Sequence, residues 1–296
     1  MNTQSVEPVV IPQSRRLYWT MRREFWENRS LYLVPVTVAA LFLAGFLISV
    51  LHPSVHMHTG MSLDPVHQQE QHYNIASLFI MGTTLLVVMM YCVDALYSER
   101  RDRSVLFWKS LPVSDVTTVV AKAAIPVLVM PLLMFAVTVV TQAVMLLLSS
   151  VVMLARGQNV AALWTHLRLF QMSLGLLFHL VAIHGFWYAP IYCWLLLVSA
   201  FARRAPFLWV VLPPLAIGVV EKIAFNTSHF GAFLAHRFFG GPAEDAPFVG
   251  DSMTMDALTW VDVGRFLADP GLWTGLLAAA AFLALAVWLR RSREPM

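Results

Sequence analysis

Charged residues are scarce in this sequence. Asp, Glu, Lys and Arg together make up 12% of its 296 residues, about half the share of a typical soluble domain. A compact soluble fold could not cover its surface with so few charges, so the composition excludes a soluble enzyme and a disordered chain.

Cysteine is also rare. Cys92 and Cys193 both lie in apolar runs, which predicts buried hydrophobic residues and excludes a disulfide-stapled secreted module.

A signal-peptide pattern is missing as well. The first thirty residues are polar and contain no short apolar core before a small-residue cleavage site, so we expect no cleaved leader.

Apolar residues are abundant. Hydrophobic residues make up 58% of the sequence, and ten residues are Trp. This composition is typical of an integral membrane protein, in which aromatic residues gather at the membrane interfaces.

Six apolar runs approach or exceed the roughly 20 residues that a helix needs to cross a bilayer. The sequence therefore predicts an all-α integral membrane protein with six transmembrane helices in residues 31–296. The predicted spans are 31–51, 73–96, 123–154, 172–201, 206–225 and 271–289. The predicted external loops are 52–72, 155–171 and 226–270. Span 206–225 is the weakest, because Pro213 and Pro214 interrupt it.

The distribution of Lys and Arg predicts the orientation. Fifteen of the twenty basic residues fall on the side that holds both termini. Since cytoplasmic loops carry an excess of Lys and Arg, we expect both termini to be cytoplasmic. The basic residues are divided among four short juxtamembrane stretches, which fits contact with the lipid bilayer and excludes a nucleic-acid surface.

The N-terminal segment 1–30 has an amphipathic pattern. Leu17, Met21 and Phe25 recur every four residues, and arginines occupy much of the remaining face. This pattern predicts a helix that lies in the cytoplasmic membrane interface and anchors the first span. A contact with a soluble partner is an alternative that the pattern leaves open.

The loop between the second and third spans, residues 97–122, is longer than a hairpin between helices needs. Its apolar residues have no core of their own, and a proline ends any helix that they form. The residues concerned are Val105, Leu106, Phe107, Trp108, Leu111 and Pro112. Two interpretations remain: a helix that rests on lipid, or a helix that docks in a groove of a cytoplasmic protein with these residues as its anchors.

Two segments resemble the permease subunits of ABC-2 type transporters. Glu99-Arg100-Arg101 through Leu106, followed by Ser110-Leu111-Pro112-Val113-Ser114 and Lys122, is similar to the first cytoplasmic loop of that family. Arg23-Glu24-Phe25-Trp26 resembles its N-terminal elbow helix. The chain departs from the pattern at Asp102-Arg103-Ser104, where many members have a Gly-Thr pair.

The resemblance implies a half-transporter in the bacterial cytoplasmic (inner) membrane. The chain would pair with a second copy or a homologous permease, and each permease would receive an ABC ATP-binding subunit at loop 97–122. ATP and Mg would be bound by that partner, since this chain contains no G-x-x-x-x-G-K-[ST] motif. Export is the commoner direction in the family. The loop residues would then be mechanical contacts and not catalysts.

Ionisable residues within apolar runs are often functional. Glu221 and Lys222 are expected at the outer mouth of the fifth span, where they line an exit path or mark the interface. His179 and His184 lie about 140° apart on an ideal α-helix, which is a poor arrangement for one metal ion. We expect these two to have a hydrogen-bonded packing role.

Small residues recur at the start of the sixth span. Gly271, Gly275 and Ala279 are spaced by four, which predicts a seam where another helix approaches closely. That helix could belong to the same chain or to a second subunit.

The first external loop holds five of the ten His, with Met57 and Met61 between them. Imidazole and thioether ligands suit copper or zinc, and His56 and His58 are the candidates, but no second cluster completes a site. We therefore predict no metal centre. A membrane sensor or immunity protein on the same fold, with this loop as metal receptor, remains an alternative function.

A membrane enzyme is not expected, since H-E-x-x-H and G-x-S-x-G are both absent.

Overall fold

The structure is a computed structural model that describes residues 12–51, 65–102, 114–157, 159–161, 164, 169–239 and 263–292. All regular elements within these ranges are helical, which confirms the all-α prediction for this part of the chain. The helices are α1 (Gln13–Glu27), α2 (Ser30–Leu51), α3 (Pro65–Asp94), α4 (Tyr97–Arg101), α5 (Asp115–Ala124), α6 (Met130–Ala155), α7 (Leu169–His179), α8 (Ala189–Phe201), α9 (Pro206–Phe225), α10 (His229–Phe239), α11 (Val263–Ala268) and α12 (Pro270–Ser292). Two π-helical segments, Ile125–Val129 and Leu180–Trp187, connect α5 to α6 and α7 to α8.

Five helical stretches are long and apolar enough to cross a membrane. They are Ser30–Leu51, His72–Arg101, Asp115–Ala155, Pro206–Phe225 and Pro270–Ser292. A sixth is obtained if Met172–Trp187 and Ala189–Phe201, bent by 43° at their junction, form one broken span. These stretches overlap the six predicted runs, and the chain is consistent with a multi-pass membrane protein.

Among the boundaries that differ from those expected, two helix starts lie well inside predicted loops. Helix α3 begins at Pro65, inside the predicted external loop 52–72. The helical stretch that leads into the third run begins at Asp115, inside the predicted loop 97–122. The polar residues at both places continue the helices beyond their apolar parts, which is why an apolarity criterion alone ended the spans too early.

Helix α9 continues through Pro213 and Pro214, although a proline pair was expected to interrupt it. Pro214 has no N–H to offer the carbonyl of Val210, four residues earlier. The indole Nε1 of Trp194 on α8 lies 3.4 Å from that carbonyl oxygen and donates to it. A neighbouring helix thus supplies a donor for the freed group, as membrane helices require.

Helix α8 lies at the centre of the bundle, where it packs against α3 and α12. Its Tyr192 and Leu196 are almost inaccessible and join a core that includes Leu31 of α2 and Cys92 of α3. Both cysteines are free and buried, as predicted from their apolar surroundings.

The two π-helical segments meet inside the bundle. Pro131 has no N–H for the carbonyl of Val127, so α-helical hydrogen bonding fails there and the backbone is wound as a π-helix. The Val127 carbonyl oxygen faces Gly185 of the other π-helical segment, 2.8 Å from the position that a Cβ atom would take. Any side chain at residue 185 would separate the two segments.

Candidate functional site

Six charged side chains converge at one end of the bundle, which we call the α1 end. Helices α1, α4, α5 and α12 contribute them, and we refer to them as the charge cluster. Its members are Arg23, Glu24, Glu99, Asp115, Lys122 and Arg290. Three are acids and three are bases, so the formal charges of the cluster cancel.

Lys122 lies at the centre of the charge cluster, with 2% of its side chain exposed. Its Nζ is 2.7 Å from Oε1 of Glu24 and 3.1 Å from Oε1 of Glu99. The hydroxyl of Tyr91 on α3 donates to the other Glu24 oxygen at 3.2 Å. Because a buried charge is costly unless it is paired, this packing holds the ammonium group between the two carboxylates.

Arg290 connects the last helix to the same cluster. Its Nη1 donates to Oε2 of Glu99 at 2.6 Å, and its Nε donates to Oδ1 of Asp115 at 2.9 Å. Arg23 of α1 adds a contact of 2.9 Å between its Nη2 and Glu24. A single guanidinium group of α12 therefore joins α4 and α5.

The local sequence explains why α5 presents two members of the charge cluster. The Ser114 side chain accepts a hydrogen bond from the Thr117 N–H at 3.1 Å and caps the first turn. This cap fixes the start of α5. Asp115 and Lys122 are separated by seven residues, close to two turns, so their side chains lie on one face.

Helix α4 is held in place by α8. The hydroxyl of Ser199 accepts hydrogen bonds from the backbone N–H groups of Leu96 and Tyr97, both at 2.9 Å. Nη2 of Arg100 donates to the carbonyls of Ser199 and Ala202, at 2.7 and 2.8 Å. These carbonyls belong to the last turn of α8 and the residue after it, where a cation satisfies groups that have no helical partner.

The chain between α4 and α5 thus begins and ends at the charge cluster. The predicted partner-contacting residues lie between these two helices but outside the described residues. They are Val105, Leu106, Phe107, Trp108, Leu111 and Pro112. Reasoning from the sequence did not predict the ion pairing of Glu24, Glu99, Lys122 and Arg290. The sequence feature that could have indicated this pairing is the position of these charged residues beside or inside long apolar runs, where an unpaired charge is costly.

Glu27, next to the cluster on α1, is half-exposed. Partial burial raises the pKa of its carboxyl group, an effect that the nearby Arg23 guanidinium opposes.

Glu221 and Lys222 lie in the last turns of α9 and have separate surroundings. The Glu221 carboxylate accepts hydrogen bonds from the backbone N–H groups of His229 and Phe230, at 2.6 and 2.8 Å, and from the Thr227 hydroxyl at 2.8 Å. It therefore caps α10. The Lys222 side chain is exposed.

The small residues of α12 face neighbours within the same chain. The guanidinium of Arg237 on α10 lies against Gly275, so a Cβ atom there would overlap it. Nη1 of Arg237 also donates to the Gly271 carbonyl at 3.0 Å. Ala279 packs against Ala189 and Cys193 of α8. The seam thus receives α10 at its start and α8 further along.

Arg237 itself is 5% exposed, and its Cζ lies 4.1 Å from the centroid of the Trp187 ring. The Trp187 Nε1 donates to the Arg237 carbonyl at 3.2 Å. Burial lowers the pKa of the guanidinium, while the charge of Asp269 acts in the opposite direction. Stacking on an aromatic face compensates part of the cost of burying this cation.

The structure contradicts the expected placement of His179 and His184. Their ring centroids are 5.6 Å apart. The intervening backbone is wound as a π-helix, in which hydrogen bonds join residues five apart, so the two rings come close together. Among the described residues, Nδ1 of His184 is buried without a hydrogen-bond partner, so the expected hydrogen-bonded packing role stays a prediction.

The proposed metal candidates His56 and His58 lie outside the described residues. Within the ranges that the structure describes, no group of three or more His, Cys, Asp or Glu side chains is arranged to hold a metal ion.

No protein-family model, curated protein or solved structure matches this chain. The geometry of the charge cluster and the sequence of the segment that it bounds are therefore the basis for a functional assignment.

Proposed function

We propose that the chain is the membrane subunit of an ABC-2 type ATP-driven exporter in a bacterial cytoplasmic membrane. In this proposal the chain has six spans with both termini in the cytoplasm, and two permeases pair. Each permease docks one ATP-binding subunit at loop 97–122. ATP and Mg are bound by that subunit, and this chain contributes mechanical contacts.

The observation that carries the proposal is that the charge cluster joins both ends of the segment 103–113 to α1 and α12. A force applied to that segment reaches α4 and α5 through the backbone. The ion pairs of Glu99, Asp115 and Lys122 then pass it to α1 and α12. Removing one partner of a buried ion pair costs about 3–5 kcal/mol. Such pairs resist local distortion, so α1, α4, α5 and α12 move together when the segment is pushed.

Helix α1 has the properties of an elbow helix in this proposal. Its inward face places Glu24 in the charge cluster, and its outward face carries Trp19 and Trp26, which are 52% and 68% exposed. The Arg22 guanidinium carbon lies 5.1 Å from the centroid of each of these rings. Indole rings and arginine are the groups that favour the head-group layer of a bilayer.

At the other end of the molecule, Glu221 fixes the start of α10 beside the end of α9. If α9 borders an exit path, as the sequence suggested for Glu221 and Lys222, the capped helix α10 forms part of its outer mouth. This assignment depends on the transporter proposal.

The proposal predicts that a gene for a phosphate-loop ATPase lies beside the gene for this chain. It is tested by co-expressing the two proteins and measuring co-purification and ATP hydrolysis. We expect the wild-type chain to retain the ATPase, and the double substitution Phe107→Ala with Trp108→Ala to lose retention or the stimulation of hydrolysis. The chain should still insert into the membrane.

A matched control exists in Trp164→Ala with Phe170→Ala, which removes the same two residue types from exposed positions at the other end of the bundle. This control should behave like the wild type. If the Phe107 and Trp108 variant kept both the ATPase and the full rate of hydrolysis, the docking assignment would be wrong.

A further inference from the structure

The broken span places two histidines in contact inside the bundle. His179 ends α7 and His184 lies in the π-helical segment Leu180–Trp187. Their rings meet edge to face, with centroids 5.6 Å apart. The Tyr188 ring follows at 5.4 Å from His184. The three rings thus form a continuous row along one face of the broken span.

One polar atom of this pair has no partner in the part of the chain that the structure describes. His184 is 7% exposed, and its buried Nδ1 has no hydrogen-bond partner among the described residues. A buried polar atom without a partner is destabilising, and an ionisable side chain inside an apolar span usually has a function. π-Helical turns within helices are likewise frequent at functional sites.

We propose that His179 and His184 together bind one Cu⁺ ion. Imidazole nitrogens are good ligands for copper and zinc. The two ring centroids lie 5.6 Å apart with their planes inclined at 69°, a separation at which one nitrogen of each ring can reach an ion placed between them. The unpartnered Nδ1 of His184 is the atom that such an ion would use on that ring.

The number of ligands and their charge select Cu⁺ over Zn²⁺. Zinc takes three or four protein ligands, and in the part of the chain that the structure describes no third His, Cys, Asp or Glu joins the pair. A divalent ion without a carboxylate would also keep its full charge in an apolar interior, which is expensive. A monovalent d10 ion accepts two nitrogen ligands and brings a single charge.

The surroundings hold the rings in position. Gly185 lies against the Val127 carbonyl, which keeps the two π-helical segments in register. The Tyr188 hydroxyl donates to the Phe238 carbonyl at 3.0 Å, so the neighbouring ring is fixed to α10.

The test is a titration of the purified full-length chain with Cu⁺ in nanodiscs, under anaerobic reducing conditions, in competition with a chromogenic Cu⁺ chelator. We expect the wild type to bind one equivalent that His179→Ala with His184→Ala does not bind. Either single substitution should weaken this binding by about 100-fold or more, because it removes one of the two ligands. Loss of a group that is merely hydrogen-bonded to a metal ligand already costs about 10–100-fold.

Two double variants serve as controls. His229→Ala with His236→Ala removes two histidines from α10 and should retain the bound equivalent. His56→Ala with His58→Ala removes the external-loop candidates and should retain it too. The proposal is overturned if the His179 and His184 variant binds as much Cu⁺ as the wild type, or if the external-loop variant removes all binding.

X-ray absorption of the wild-type chain loaded with one equivalent tests the site even if the substituted chains do not fold. Two imidazole nitrogens around copper support the proposal, whereas sulfur ligation or a single nitrogen contradicts it. The titration uses the chain without any ATPase, so its result is independent of the transporter proposal.

Discussion

Lys122 shows how a single residue can stabilise the α1 end of the bundle. Its ammonium group satisfies the carboxylates of Glu24 and Glu99 at once, and all three side chains are at least nine-tenths buried. A neutral residue at position 122 would leave two buried carboxylates close together with the two arginines alone to compensate them. Unpaired buried charge is among the most destabilising changes in a protein.

We therefore predict that Lys122→Met lowers the free energy of unfolding by about 3–5 kcal/mol. Lys222→Met, which changes an exposed lysine of α9, should have an effect of less than about 1 kcal/mol. Denaturant unfolding of both variants in the same detergent measures the difference. Equal midpoints would show that the buried pairs contribute no net stability.

At the scale of helices, the position of α10 depends on one residue of α12. Arg237 inserts its guanidinium where a side chain at position 275 would lie, and the cation then stacks on Trp187 and donates to Gly271. Only glycine at position 275 leaves room for the Arg237 guanidinium. The contact fixes α10 to α12 and to the second π-helical segment.

The prediction for this contact is that Gly275→Ala destabilises the chain by about 1–3 kcal/mol, the usual cost of overpacking. Gly218→Ala on α9 is the matched control, since nothing lies within 4 Å of its would-be Cβ, and alanine is the better helix former by about 1 kcal/mol. Thermal unfolding should place the midpoint of Gly275→Ala below that of the wild type and that of Gly218→Ala at or above it. The reverse order would contradict the packing of Arg237 against α12.

At the scale of the whole molecule, the charge distribution and the charge cluster together predict which end of the bundle is cytoplasmic. If the basic residues mark the cytoplasmic side, then α1, α4, α5 and the end of α12 all lie on that side. The charge cluster would then be the cytoplasmic end of the bundle.

This topology is tested with single cysteines in a chain that carries Cys92→Ala and Cys193→Ala. Gln13→Cys and Ser292→Cys should be protected from a membrane-impermeant maleimide in intact cells and react after permeabilisation. Ala161→Cys, between α6 and α7, should react in intact cells. All three positions are exposed in the structure, so burial does not explain protection. Labelling of residue 13 or 292 in intact cells would refute the cytoplasmic placement of that terminus.

The sequence by itself determined the fold class and the approximate helical stretches. A run such as 31–51 carries no charge over the length of a bilayer crossing, and hydrogen bonding within a helix is the usual way for such a run to satisfy its backbone. The free, buried state of Cys92 and Cys193 also followed from their apolar neighbours. These properties depend on composition and on contacts close in the chain, which a sequence displays directly.

The tertiary structure alone decided which distant residues meet. Glu24 and Lys122 are 98 positions apart, and Arg290 lies 191 positions from Glu99, so no periodicity relates them. His179 and His184 show the same limit over a short distance, because an α-helical spacing separates rings that the π-helix brings together. The contact between Gly185 and the Val127 carbonyl joins two distant segments, and no sequence pattern relates these residues. Long-range packing therefore set the geometry of the charge cluster, and the π-helical winding of the backbone set that of the histidine pair.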